Sequence, residues 1–221
     1  MQVGLISDIH GNLPALETVL SDMPSVDTIV CLGDVIGYNP WPCECLERVR
    51  EVTSVTVQGN HDRTVRMPET YRANQMAYAG LEYAQEELSE EQLTWLDELP
   101  RRTTVADDRL LLVHDHPEVQ DRYVMPHMFS DLWSYLDEYN GLALGHTHVQ
   151  HTETDGNRVL VNPGSVGQPR DEDPRAAYGV LDTESVSVDL HRVAYDIDRV
   201  INKVEEVGLP ERIGTRLLDG S

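Results

Sequence analysis

Short apolar runs that break off at polar residues recur along the chain. Val3 to Ile6 is the first, reading as a buried strand that runs out into Asp8, His10, Gly11 and Asn12. Asn12 is placed to cap a helix whose apolar positions Leu13, Leu16 and Leu20 fall at helical spacing, with Pro14 tolerated in the first turn. A second strand, Val26 to Leu32, ends in Gly33-Asp34, and a breaker-rich loop leads to a helix from about Cys43 to Glu51. The third strand, Ser54 to Gln58, is β-branched and stops at Gly59-Asn60-His61-Asp62. Three strands alternating with two helices form the βαβαβ pattern of a parallel sheet.

Arg63 to Leu99 is mostly helical in pattern. Ser89 followed by Gln92 reads as a capping box opening a helix with Leu93, Leu96 and Leu99, which Pro100 stops. Leu110 to Val113 is the next strand, ending in His114-Asp115-His116-Pro117, and a helix is expected near Met128 to Tyr139. Leu142 to Leu144 ends in Gly145-His146-Thr147-His148, and Asp155-Gly156 marks a hairpin turn. Ala177 to Leu181 and Val186 to Val193 read as strands that complete a second, mixed or antiparallel sheet. From Asp196 the pattern is helical again, broken at Gly208-Leu209-Pro210. A chain of 221 residues suits one domain over 1–195, with a helical tail over 196–221 packed on it.

Charge changes this picture. The formal net charge is -22, from 39 acidic and 17 basic residues, and Lys203 is the sole lysine. Such a surface repels polyanions, so extended nucleic-acid binding and docking on anionic membranes are not expected. Dense carboxylates with lysine nearly absent resemble proteins adapted to concentrated salt, where screening makes self-repulsion tolerable. A merely acidic cytosolic protein is the other reading. Cys31, Cys43 and Cys45 show neither a disulfide framework nor metal-site spacing, and no apolar run approaches a membrane span. The N-terminus reads straight into a strand, so a cytoplasmic protein is expected, and the second sheet's exposed faces leave room for a homo-oligomer.

The chemistry lies where the strands stop. Asp8 and His10 alone also fit a capping aspartate beside a surface histidine. Asp8, His10, Asp34, Asn60, His61, His114, His146 and His148, however, all follow strand ends, five strands in total, which in a parallel sheet lie together at one edge. Carboxylate and amide oxygens mixed with imidazoles, without a thiolate, suit Mn²⁺, Fe or Zn²⁺. Seven ligands are too many for one ion and can hold two if a carboxylate bridges.

Asp-x-His, Gly-Asp, Gly-Asn-His-Asp, His and Gly-His-Thr-His, in that order over residues 3 to 148, resemble the calcineurin-like metallophosphoesterases. Gly37 to Pro40 and Asn162 to Arg170 resemble the small, single-domain phosphodiesterase branch of that family. The resemblance implies a four-layer α-β-β-α sandwich, an α/β fold of two mixed sheets flanked by helices. It implies that Asp8, His10 and His148 hold one metal and Asn60, His114 and His146 the other, with Asp34 bridging. Two divalent ions would share a water that becomes hydroxide and attacks phosphorus, Mn²⁺ being favoured over Fe, Zn²⁺ or Ni²⁺. His61 would protonate the leaving group or stabilise charge on phosphate, and Asp62 resembles the residue that holds that histidine's other nitrogen. The substrate would be a small phosphate ester or nucleotide, most simply a phosphodiester. A phosphomonoesterase, a dinucleoside polyphosphate hydrolase, or a non-catalytic protein-interaction scaffold of the same fold are the alternatives.

One departure is that Asp115 follows His114 where the family usually has glycine. Glycine there permits an unusual backbone angle or close approach to substrate, and Asp is among the few residues that tolerate a left-handed conformation. A carboxylate so near the metals would repel an anionic phosphate or recruit a further cation. Tyr38, Asn39, Arg63, Arg122 and Arg170 lie in loops that could face the metals, with Asn39, Arg63 and Arg170 the candidate substrate-binding residues.

Overall fold

The strands read as continuous apolar runs because most of them are covered on both faces. In the computed structural model, which describes residues 1–107 and 109–221, Leu110, Leu111, Leu112 and Val113 are all buried. Strands β1 (Gln2–Ile6), β2 (Thr28–Cys31) and β3 (Val55–Thr56) pair in parallel, connected by α1 (Leu13–Asp22) and α2 (Pro42–Val52). Asn12 caps α1 by accepting the Ala15 N–H at 3.2 Å. Helices α3 (Asn60–Thr64), α4 (Gln75–Glu87) and α5 (Glu90–Glu98) follow, and the Ser89–Gln92 capping box opens α5.

The second half begins with β4 (Arg102–Val105), antiparallel to β5 (Leu110–Val113). A 3-10 helical segment, Pro126–Leu136, stands where an α-helix was expected, and leads to β6 (Gly141–Ala143). The hairpin β7 (His151–Asp155) and β8 (Arg158–Asn162) precedes β9 (Ala176–Asp182) and β10 (Ser187–Val193), then α6 (Ile197–Glu206) and α7 (Arg212–Thr215). Two mixed five-stranded sheets result, ordered β10-β9-β1-β2-β3 and β4-β5-β6-β8-β7.

This order corrects the expected place of β9 and β10. They extend the first sheet, not the second, because the free edge of β1 takes β9 antiparallel with Val3 opposite Leu181. The second sheet is completed instead by β4, a β-branched Arg-Thr-Thr-Val run that the apolar pattern does not mark.

Alternation along the strands sorts side chains into layers. Val3, Leu5, Val30 and Leu32 from one sheet meet Leu110, Leu112, Val159 and Val161 from the other. Ile6 and Cys31 turn the opposite way, onto the α1 and α2 side with Leu16 and Leu46. Leu111, Leu142 and Leu160 cover Phe129, Leu132 and Leu136 of the 3-10 segment. Helices, sheet, sheet and helical segment thus make four layers. Val200 and Val204 of α6, with Ile213 and Leu217 beyond it, are buried in the same cluster as α1. Among the described residues no helix is long and apolar enough to cross a membrane.

Candidate metal centre

The ends of β1, β2 and β3 in one sheet and β5 and β6 in the other converge on a single buried point. Asp8, His10, Asp34 and His148 form one cluster of ligand atoms, and Asp34, His114 and His146 form a second, with atoms in each within 4.8 Å of one another. Asp34 belongs to both. Its Oδ2 lies 3.6 Å from His10 Nε2 and 3.4 Å from His114 Nε2. Asn60 Oδ1 lies 3.1 Å from His114 Nε2, and its amide N–H donates to the Tyr71 hydroxyl at 2.5 Å, which fixes the oxygen toward the cluster.

Backbone geometry brings these side chains in. Asp8, His10, Asp34, His146 and His148 all sit at positive φ, between 48° and 68°. A non-glycine residue there costs on the order of 1–3 kcal/mol, a strain that concentrates at functional sites. The loop Asn162 to Arg170 braces the first turn: Gly167 N–H and Ser165 Oγ donate to the Asp8 carbonyl at 3.0 and 2.7 Å. Gly59 has no room for a side chain, since a Cβ there would lie 2.1 Å from Asp34 Oδ1.

The donor set fits divalent cations on two observations. His10 and His148 each turn Nδ1 to a backbone carbonyl, Ile36 O at 3.2 Å and Gln168 O at 2.5 Å, which leaves both Nε2 atoms as bare lone pairs. Those two nitrogens stand 3.2 Å apart, with Asp8 Oδ1 3.2 Å from His148 Nε2. Asp8 Oδ1 is also buried without a hydrogen-bond donor. Lone pairs and a carboxylate oxygen aimed at one another are satisfied by a cation between them, and all the donors are nitrogen or oxygen.

Electrostatics agree. Burial opposes ionisation of Asp8, but a positive charge in the position of a His148 Nε2 proton, with charged His114 nearby, holds the carboxyl well below the usual carboxylate range. Burial likewise opposes ionisation of Asp34, and the charge on His114 overrides it. Burial keeps His10 and His148 below the ordinary histidine value, hence neutral and able to ligate. His114 is the exception: burial opposes its charge, but contact with Asp34 pushes it up to about 10. Metal binding there would release a proton.

Several expected roles are corrected. Asp62 does not hold His61. Its carboxylate accepts four backbone N–H groups, from Asp34, Val35, Ile36 and Gly59 at 2.8 to 3.4 Å, and so clamps the loop that carries Asp34. His61 Nδ1 is buried with no partner. Asn39 is buried and donates to the His10 carbonyl at 3.0 Å, shaping the loop instead of facing substrate. Arg63 is committed to Asp121 by two hydrogen bonds, at 2.7 and 2.9 Å, and lies outside the cavity wall, as does exposed Arg122. Asp115 has no positive φ. Its carboxylate turns to the Asp121 N–H and lies 3.7 Å from Arg101, so it ties down the loop after β5 and leaves the ligand cluster alone.

A cavity of about 360 Å³ opens onto the cluster, lined by Asp34, Asn60, His61, His146 and His148. Tyr38 and Arg170 stand in its wall, as the loop reading expects. Tyr71, Asp121, Tyr123 and Arg216 stand there too, and no motif marks them. Tyr123 lies flat on the His146 ring, with centroids 4.1 Å apart.

The calcineurin-like phosphoesterase superfamily domain matches residues 1–186. Protein MJ0912 from Methanocaldococcus jannaschii is 33% identical over 241 residues, covering 99% of this chain and 98% of that protein. Phosphodiesterase YfcE from Escherichia coli is 30% identical over 203 residues, covering 85% of this chain and 91% of that one. Among solved structures, a metallophosphoesterase from Sphaerobacter thermophilus superposes with a TM-score of 0.86 at 34% identity, both chains covered over 100% of their length. With the domain match spanning most of its length and the M. jannaschii relative aligned over 99% of it, the chain belongs to the calcineurin-like phosphoesterase superfamily.

Proposed function

We infer that the protein hydrolyses phosphodiesters with two divalent metal ions, Mn²⁺ being favoured. The observation that carries this reading is the sharing of Asp34 between two ligand clusters, a donor arrangement suited to a bridged metal pair. Asp8, His10 and His148 would hold one ion, Asn60, His114 and His146 the other. When bound, the pair would supply an activated water for attack on phosphorus and positive charge against the phosphate oxygens. The similarity to a phosphodiesterase supports a diester over a monoester.

The chain's own residues supply orientation and hydrogen-bond donors. His61 stands in the cavity wall, its ring held between His10 and Tyr38 with centroids 4.7 and 4.9 Å away. Burial pushes it down to about 4, so the ring is neutral at pH 7. A neutral ring carrying its proton on Nε2 would donate a hydrogen bond to the leaving or phosphoryl oxygen and stabilise the charge that develops there. Arg170 donates Nη2 to Gln168 Oε1 at 2.7 Å and lies 5.8 Å from the Tyr38 ring centroid, which presents a guanidinium edge to phosphate.

The test is hydrolysis of bis(p-nitrophenyl) phosphate beside p-nitrophenyl phosphate, using metal-stripped protein reloaded with Mn²⁺ in concentrated KCl. The diester should be cleaved faster. His61→Ala should keep its metal content, read by elemental analysis, and lose roughly 10²- to 10⁴-fold in kcat. Asp34→Ala should lose metal as well as rate. Monoester preference would overturn the diester assignment, and wild-type rates in His61→Ala would remove the histidine from the chemistry.

A further inference from the structure

Most cations of this acidic chain are already committed. Arg48, Arg50, Arg66, Arg158, Arg175 and Arg192 each form an ion pair with an aspartate or glutamate. Among the described residues, Arg170 and Arg216 are two of the arginines without such a pair. Both line the cavity over the metal cluster, and among the described residues neither pairs with a side-chain carboxylate. Arg170 spends Nε and Nη2 on Gln168 Oε1, at 3.2 and 2.7 Å. Arg216 donates Nε–H to the Ser221 carbonyl, which leaves its two Nη groups uncommitted on the cavity side.

The position of Arg216 is built, since the residues around it are anchored. Ile213 and Leu217 are 0% and 1% exposed in the core beside α1. Glu172 N–H donates to the Gly220 carbonyl at 3.1 Å, tying the tail to the loop that carries Arg170. Burial and the neighbouring Arg170 both disfavour the charge on Arg216. Two guanidinium groups are therefore held together, partly buried, in a molecule of net charge -22 where carboxylates are abundant. Asp219 offsets the charge on Arg216 in part, yet like charges kept close favour an anion between them, and guanidinium forks match phosphate oxygens.

We propose that Arg170 and Arg216 form a second anion subsite, so that the preferred substrate is a phosphate ester carrying a further phosphate group beyond the scissile one, with Arg216 setting that preference. The proposal rests on the phosphoesterase reading, in which the scissile phosphate occupies the Asp34 cluster. The second phosphate could be a terminal group on a dinucleotide or part of an internal polyphosphate bridge; both present the same chemistry to the two arginines.

The experiment compares Mn²⁺-loaded wild type with Arg216→Gln. Substrates are the dinucleotide ApA, its 5′-phosphorylated form pApA, diadenosine tetraphosphate, and bis(p-nitrophenyl) phosphate, which has no second anion. Wild type should favour pApA over ApA by roughly 10- to 100-fold in kcat/KM, chiefly through KM. Arg216→Gln should bring that ratio to within about threefold of unity, and should lower bis(p-nitrophenyl) phosphate cleavage far less. Equal loss on diadenosine tetraphosphate identifies the internal bridge as the occupant; loss confined to pApA identifies the terminal phosphate. An undiminished pApA preference in Arg216→Gln overturns the proposal. A readout without turnover is calorimetric binding of adenosine 3′,5′-bisphosphate against AMP. The bisphosphate should bind at least tenfold tighter to wild type, and Arg216→Gln should erase the difference. Absence of any ester cleavage would defeat the phosphoesterase reading alone, while the binding ratio still decides the subsite.

Discussion

A backbone carbonyl faces the second ring nitrogen of each of the four histidines in the ligand cluster. Ile36, Leu32 and Gln168 accept from Nδ1 of His10, His114 and His148, and the Asp121 carbonyl faces His146 Nε2 at 3.4 Å. In His10, His114 and His148 that bond leaves Nε2 aimed at the cluster. His61 has no such anchor, which separates it physically from the ligands. Asp62 acts on the backbone, so Asp62→Ala strands four buried N–H groups. It should lower stability by about 3 kcal/mol or more and the melting temperature by about 6–12 °C. A relay partner of His61 would behave otherwise: the pH–rate profile would shift and the melting curve would stay in place. Calorimetry beside a pH–rate profile tells the two apart. The clustering of these side chains was legible in the sequence because a polar side chain directly after an apolar strand has a fixed place at the sheet's edge. Asp62, Asn39 and Arg63 were misread because their partners, Val35, the His10 carbonyl and Asp121, are set by how loops cross in space.

Elements meet here at separations that leave no slack. Helix α4 crosses the loop after β2 so closely that a Cβ on Gly80 would lie 2.2 Å from Tyr38 N and 2.4 Å from its Cα. Helix propensity favours alanine over glycine by roughly 1 kcal/mol. The clash is with backbone, however, and overpacking of that kind costs about 1–3 kcal/mol. Gly80→Ala should therefore be net destabilising, and by displacing Tyr38 it should lower kcat/KM with metal content retained. A melting temperature at or above wild type would mean that α4 can slide. The parallel strands and their helices were readable from period and caps, and the Ser89–Gln92 box was readable to the residue. Sheet membership of β9 and β10 was not. Alternation says that a segment is a strand but not which free edge it will find, and the open edge of β1 decided it.

On the scale of the whole molecule, a net charge of -22 sets the conditions for folding. The Debye length falls from about 10 Å at 0.1 M salt to about 3 Å at 1 M, so self-repulsion fades with added salt. If the surface is adapted to concentrated salt, melting temperature should climb steadily from 0.1 to 2 M KCl and the protein should unfold on dilution. A flat profile would leave an acidic protein with no such adaptation. The tail containing Arg216 also belongs to this scale, because its docking beside Arg170 follows from the packed whole and no local motif announces it. The pairing of β1 with β9 has a further consequence, for synthesis. The opening strand must wait for residues 176–182 before its second edge is covered. At about 5–20 residues per second that is a delay of roughly 9–35 s. During that interval Asp8 also lacks its brace from Ser165 and Gly167. A chain released early would offer a bare β-strand to its neighbours, so interrupted translation should yield aggregate in place of a partly active fragment.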